Sequence, residues 1–212
     1  MARRQFARLK ASQPLAAGER FAVLSLAEAR RTAVTILVEA ATVHAWQQDS
    51  LEAERLLLRA IAINPSSAVS CHKLAEVYKE AGLAAEQRVV VERLVQLEPL
   101  NLLHYLELAR LADELGEPEG AEAALKLAIS VAPDNPGPYT TLARFYLQQQ
   151  QPKKARWYAQ EAVRRDPTAE GFVLLASTCR LVGDEATAEA ALAEAQRLST
   201  STAAPPGADR KE

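Results

Sequence analysis

Residues 99–133 read PLNLLHYLELARLADELGEPEGAEAALKLAISVAP. Prolines bracket the stretch, and the bracket recurs: Pro65, Pro99, Pro133 and Pro167 stand 34 residues apart three times running. Between them Tyr105, Leu108, Ala109 and Ala112 are spaced i, i+3, i+4 and i+7, which puts them on one stripe of a helix. Gly116 then allows a turn with positive φ, and Ala121, Leu125 and Ala128 mark the inner face of a second helix. A hairpin of two helices cannot bury its own apolar face. Repetition at this period therefore means hairpins stacked on copies of themselves.

The same register runs outward in both directions. First-helix stripes are Leu37, Ala40, Ala41, His44; Cys71, Leu74, Ala75, Tyr78; and Tyr139, Leu142, Ala143, Tyr146. Second-helix faces carry Ala53, Leu57, Ala60; Val91, Leu94; and Ala155, Ala159, Ala162. Alanine at these places lets antiparallel helices approach closely. The residues before the prolines, Asn64, Glu98, Ala132 and Asp166, should end each second helix, because proline disfavours α geometry at its predecessor.

These residues resemble the tetratricopeptide repeat (TPR) family, in unit length, in the aromatic-leucine-small-aromatic helix and in the closing proline. The resemblance implies an all-α, right-handed α-solenoid of about five helix-turn-helix units over 34–198, divided as 34–67, 68–101, 102–135, 136–168 and 169–198. The fifth unit (Phe172, Leu175, Ala176, Cys179, Gly183, Ala188, Leu192, Ala195) fits only if the fourth is one residue short. Gln87 stands where the family pattern has alanine, and the first unit has His44 for tyrosine and no turn glycine. Residues 14–33 are expected to form a helix capping the first unit, residues 1–13 a basic flexible arm and 199–212 a disordered tail.

Charge and composition narrow the function classes. The 212 residues carry a net charge of −2, but residues 1–31 hold seven basic against two acidic side chains. Overall neutrality disfavours nucleic acid and membrane surfaces as main partners. Cys71 and Cys179 lie in different units with no CxxC spacing, so neither a disulfide framework nor a zinc ribbon is indicated, in keeping with a cytoplasmic protein. The most apolar stretch, Ala33–Trp46, is broken by Glu39 and His44 and should not span a membrane.

In the TPR family, first-helix places 2, 5, 9, 12 and 13 face a concave groove. The resemblance thus implies a protein-interaction scaffold or adaptor that assists complex assembly, with a partner peptide or helix held by Val69, His72, Glu76, Lys79, Leu103, Leu106, Arg110, Asp113, Thr140, Arg144, Leu147, Gln148, Ser177 and Arg180. Glu76, Arg110 and Arg144 share one place, forming a row with Arg180 near its end. Guanidinium groups grip carboxylates in pairs of bonds, which suits an acidic peptide or a chain terminus. Leu103, Leu106 and Leu147 would be exposed apolar anchors beside them. The competing reading is a surface network, with Glu76 paired to Arg110 and Arg144 to solvent or Asp113. The lysine and asparagine clamp of chaperone-binding family members is missing: Val38, Thr42, Lys73, Leu103 and Glu107 stand at those places.

Two alternatives belong to other classes. A structural subunit could dock through its convex face or its ends. A nucleic-acid-associated factor could use Arg3, Arg4, Arg8 and Lys10, or the helix with Lys153, Lys154, Arg156, Trp157, Arg164 and Arg165. Catalysis finds no support: there is no HExxH, GxGxxG, P-loop or GxSxG motif. His44, His72 and His104 sit at three different repeat places, so stacking is expected to keep them apart, with no metal, cofactor or small-molecule substrate implied.

Overall fold

The computed structural model describes residues 26–202. They form ten α-helices and, among the described residues, no strand: α1 Leu26–Trp46, α2 Ser50–Ile63, α3 Ala68–Glu80, α4 Ala84–Leu97, α5 Leu102–Glu114, α6 Pro118–Val131, α7 Pro136–Gln148, α8 Pro152–Arg165, α9 Ala169–Leu181 and α10 Glu185–Thr202. Each helix packs on its sequence neighbours, and α1 on α3 and α7 on α9 add contacts between successive odd helices. The core is accordingly a string of clusters rather than one centre.

Turn chemistry repeats with the chain. Between the helices of each hairpin one residue has positive φ: Gln48 (62°), Gly82 (70°), Gly116 (74°), Gln150 (55°) and Gly183 (79°). Two glutamines therefore hold a backbone conformation that glycine adopts without a Cβ clash. The second-helix ends Asn64, Glu98, Ala132 and Asp166 all take φ between −132° and −144° before their prolines. Odd helices then open on side-chain caps, Ser67, Asn101, Asn135 and Thr168, each accepting a backbone N–H from the first turn. Two residues stand between proline and helix start at the first three junctions and only Thr168 at the fourth. The missing residue is thus in the loop, and no helix is shortened.

Most of the stripe residues are buried, including Leu74, Leu142, Ala143 and Cys179 at 1% exposure or less. Gln87 holds the place of Ala53, Ala121 and Ala155 and is buried as they are. Its amide is satisfied: Nε2 donates to Glu107 Oε1 (2.8 Å) and Oε1 accepts from Arg110 (3.2 Å). Other ties recur every second repeat. The Tyr78 hydroxyl donates to Glu54 at 2.8 Å, and Glu122 stands in the same relation to Tyr146. Arg88 pairs with Glu117 (2.6 Å) as Arg156 does with Asp184 (3.2 Å). Burial and the adjacent acid push the Tyr78 hydroxyl up to about 12, and Tyr146 is raised likewise.

The two ends differ from the sequence expectation. Helix α1 runs without a break through residue 33, where a separate capping helix should have ended. Neither proline nor glycine interrupts Leu26–Trp46, and Thr32 and Thr35 return their hydroxyls to the carbonyls of Glu28 and Arg31. At the other end, α10 extends to Thr202, four residues into the expected tail, with Ser199 bonded back to Ala195 (2.6 Å). The basic arm, the start of the cap and residues 203–212 lie outside the described residues.

Candidate functional site: the clefts between odd helices

A cleft opens at each junction between successive odd helices, floored at the first three by the intervening even helix. Between α1 and α3 the cleft is small, about 60 Å³, and is lined by Trp46, Lys73 and Glu76. Between α3 and α5 it is about 250 Å³, walled by His72, Glu76, Lys79, Leu103, His104 and Glu107 over Gln87, Val91 and Leu94. Between α5 and α7 it is about 220 Å³, with Leu106, Arg110, Asp113, Thr141, Arg144 and Gln148 over Ala121 and Leu125. Arg144 also borders a fourth cleft of about 380 Å³ with Glu170, Val173, Leu174 and Ser177.

Of the residues singled out from sequence, His72, Glu76, Lys79, Leu103, Leu106, Arg110, Asp113, Arg144, Gln148 and Ser177 border these clefts. Val69 and Arg180 are exposed but border none of them, and the Arg180 guanidinium lies 3.8 Å from Glu185. Thr140 is half-buried with its hydroxyl on the Pro136 carbonyl. Leu103 is 68% exposed, as an anchor should be. Leu106 and Leu147 are not: both are partly buried and pack onto the core cluster around Leu125 and Leu142. Val173, which the shifted register of the fifth unit also places in the groove, is 52% exposed and borders the fourth cleft, whereas Glu107, Gln87 and His104 line a cleft without holding groove places.

The arginine row is not uniform. Glu76 pairs with Lys73 at 2.7 Å and not with Arg110. Arg110 is enclosed by its own helix, donating to Glu107 (2.8 Å) and Glu114 (2.6 Å), and to Gln87. The bond from Arg110 holds the Glu107 carboxyl below the usual range, and Glu107 raises Arg110 in turn. At Arg144 the equivalent places hold Thr141, Gln148 and Ala121, none acidic. Its guanidinium has no hydrogen-bond or ion-pair partner among the described residues.

The separation expected for the histidines also fails. His72 and His104 come together on one carboxylate: their Nε2 atoms lie 3.2 and 2.7 Å from Glu98 Oε2, and their ring centroids are 5.1 Å apart. Different repeat places do not mean different faces, since the first helix of one unit meets the start of the next at each junction. Asn101 Nδ2 donates to the same oxygen at 3.1 Å. Led by the bond from His104, these donors hold the Glu98 carboxyl down at about 2. His44 stays apart, 3.2 Å from Asp49.

The basic stretch of α8 is largely neutralised. Arg156 is paired with Asp184, Arg164 and Arg165 with Glu161, and Arg165 also stacks 3.7 Å over the Tyr139 ring. Lys154 lies 4.9 Å over the ring of Tyr146. Both cysteines are free and buried, and burial pushes their thiols up. Among the described residues no helix is long and apolar enough to cross a membrane.

Hairpins of this geometry, in this register, match known proteins. The family described as tetratricopeptide repeat matches residues 114–177, across the turn of the third unit, the whole fourth and the opening helix of the fifth. The chain has the fold of tetratricopeptide repeat proteins. Among solved structures, MamA is similar over 85% of this chain and all of its own, with a TM-score of 0.69 at 18% identity. YrrB, described as a TPR protein with an unusual peptide-binding site, is similar over 82% of this chain and 94% of its own (TM-score 0.60, 16% identity). TTC0263, a thermophilic TPR protein of Thermus thermophilus, covers 79% and 92% (TM-score 0.51, 22% identity). A search of curated proteins by sequence found no match. At these identities the likeness concerns the TPR fold.

Proposed function

We propose that this TPR array is an interaction scaffold, holding a peptide or helix of a partner protein along the clefts between its odd helices and so helping a complex to assemble. The observation that carries the reading is Arg144: an exposed guanidinium without a partner, set between two clefts and beside the exposed Val173. A cation flanked by apolar anchors suits a segment bearing an acidic side chain or a terminal carboxylate next to an apolar one. The peptide-binding site described for YrrB is support by analogy of fold. Arg110 is excluded from the gripping role, because two carboxylates already occupy it.

Affinity capture from native lysate, compared between the wild-type chain and Arg144→Glu, tests this. Loss of the captured partner with unchanged helicity and melting supports it; unaltered capture overturns it.

A second reading, docking through the outer face, rests on Trp157. Its indole is 52% exposed and borders a cleft of about 370 Å³ with Glu122, Lys126, Tyr146, Lys154 and Tyr158. Trp157→Ala would then abolish capture where Arg144→Glu does not.

A further inference from the structure

His72 and His104 wall the cleft between α3 and α5 and meet on Glu98, and the proposed function draws nothing from the chemistry of these three groups together. We propose that these three side chains bind one divalent transition-metal ion of the zinc class, joining the second repeat to the third.

Donor chemistry comes first. Two imidazoles and a carboxylate make a ligand set that suits zinc and its neighbours and does not suit calcium or magnesium, which prefer oxygen alone. One ligand atom from each residue lies within 4.8 Å of the other two. Atoms about 2.0–2.1 Å from a tetrahedral ion stand about 3.3 Å from one another. The present separations from Glu98 Oε2, 3.2 and 2.7 Å, both fall short of that spacing, by about 0.1 and 0.6 Å, so modest side-chain rotation admits the ion.

Positioning is built in by the fold. Glu98 ends α4 outside the helical region, with φ at −132°, as Pro99 requires of its predecessor. His104, buried at 5%, sits in the first turn of α5, whose start Asn101 caps. His72 comes from the second turn of α3 and is half-exposed to the cleft. The corresponding places at the neighbouring junctions are Val38, Asn64 and Ser70; Leu106, Ala132 and Pro138; and Thr140, Asp166 and Gly171. The repeat geometry brings the three places together everywhere, and only this junction fills them all with metal-ligand types.

Without the ion the set is satisfied by hydrogen bonds, each Nε2–H donating to Glu98. Binding requires each ring to carry its proton on Nδ1 instead, so that the Nε2 lone pair faces the metal. Three protein ligands leave one coordination position open. His72 and His104 both wall the cleft between α3 and α5, which that position would share.

The full-length chain, free of any affinity tag, is titrated with cobalt chloride and with zinc chloride. The expected result is one equivalent of Co²⁺ giving visible d–d absorption of a low-coordinate nitrogen and oxygen site, displaced by Zn²⁺. His72→Ala, on a half-exposed side chain, and Glu98→Gln should each weaken binding by at least about tenfold, while His44→Ala leaves it unchanged. Circular dichroism of each variant shows that the fold is retained, and His104→Gln serves where His104→Ala does not fold. Absence of binding in the wild type overturns the proposal, as does binding that survives His72→Ala with Glu98→Gln or is lost in His44→Ala.

Discussion

Arg110 and Arg144 occupy one place in adjacent repeats, yet only one of them is available. Arg110 faces Glu107, Glu114 and buried Gln87; Arg144 faces Thr141, Gln148 and Ala121. The backbone places the two alike, so the difference arises from three neighbouring side chains. An acid one turn away on either side converts an unpaired cation into a strut, and a buried glutamine between the helices then depends on that strut for its own hydrogen bonds.

The comparison breaks most sharply if the glutamine is moved. Ala121→Gln places an amide in the third-fourth junction without Glu107 or Glu114 to receive it and overfills a close helix contact. It should cost about 3 kcal/mol in urea unfolding. Adding Thr141→Glu supplies the missing acceptor and should recover at least about 1 kcal/mol of that loss. Next comes partner capture: Arg144→Glu should lower affinity at least about tenfold, near 1.4 kcal/mol, whereas Arg110→Ala stays within about threefold. Equal losses from both would end the distinction.

A smaller effect concerns the turns. Gln150, in the Arg144 repeat, holds φ at 55° where the Arg110 repeat has Gly116. Gln150→Gly should raise stability by about 1 kcal/mol, read as a shift in the urea midpoint, and Gly116→Gln should lower it by a similar amount.

The subtlest difference is with pH. Glu98 titrates near 2 in the folded chain against 4.5 ordinarily, so its contribution is complete above about pH 4.5 and is lost as pH falls through 2. Ala132 holds that place in the next junction. Glu98→Gln should therefore flatten the acid side of the stability profile across that window, and Ala132→Ser should not.

The register read from four prolines reaches far into the structure because spacing is a backbone property. It places Ala53, Leu57, Leu125 and Ala159 in the core, and the one-residue slip at the fifth unit matches the shorter loop at Thr168. What it could not supply depends on side-chain length and on junctions. Leu106 and Leu147 share groove places, but a leucine at such a place can fold back onto the core. Gln87 looked like a lapse in pattern and is a hydrogen-bonded member of it. His72, Glu98 and His104 lie at unrelated places in two different units, so no periodicity in the chain brings them together; superposing one junction's places on the next would have found them.

Packing restricted to near neighbours has a mechanical consequence. Such an array is a spring whose compliance is the sum of its junctions, with no cross-links between distant coils to stiffen it. Tension between the ends would be shared along the array, with the second-third junction braced by the Glu98 and Glu107 networks. A partner that bends or stretches the coil would meet that compliance junction by junction rather than as one stiff rod.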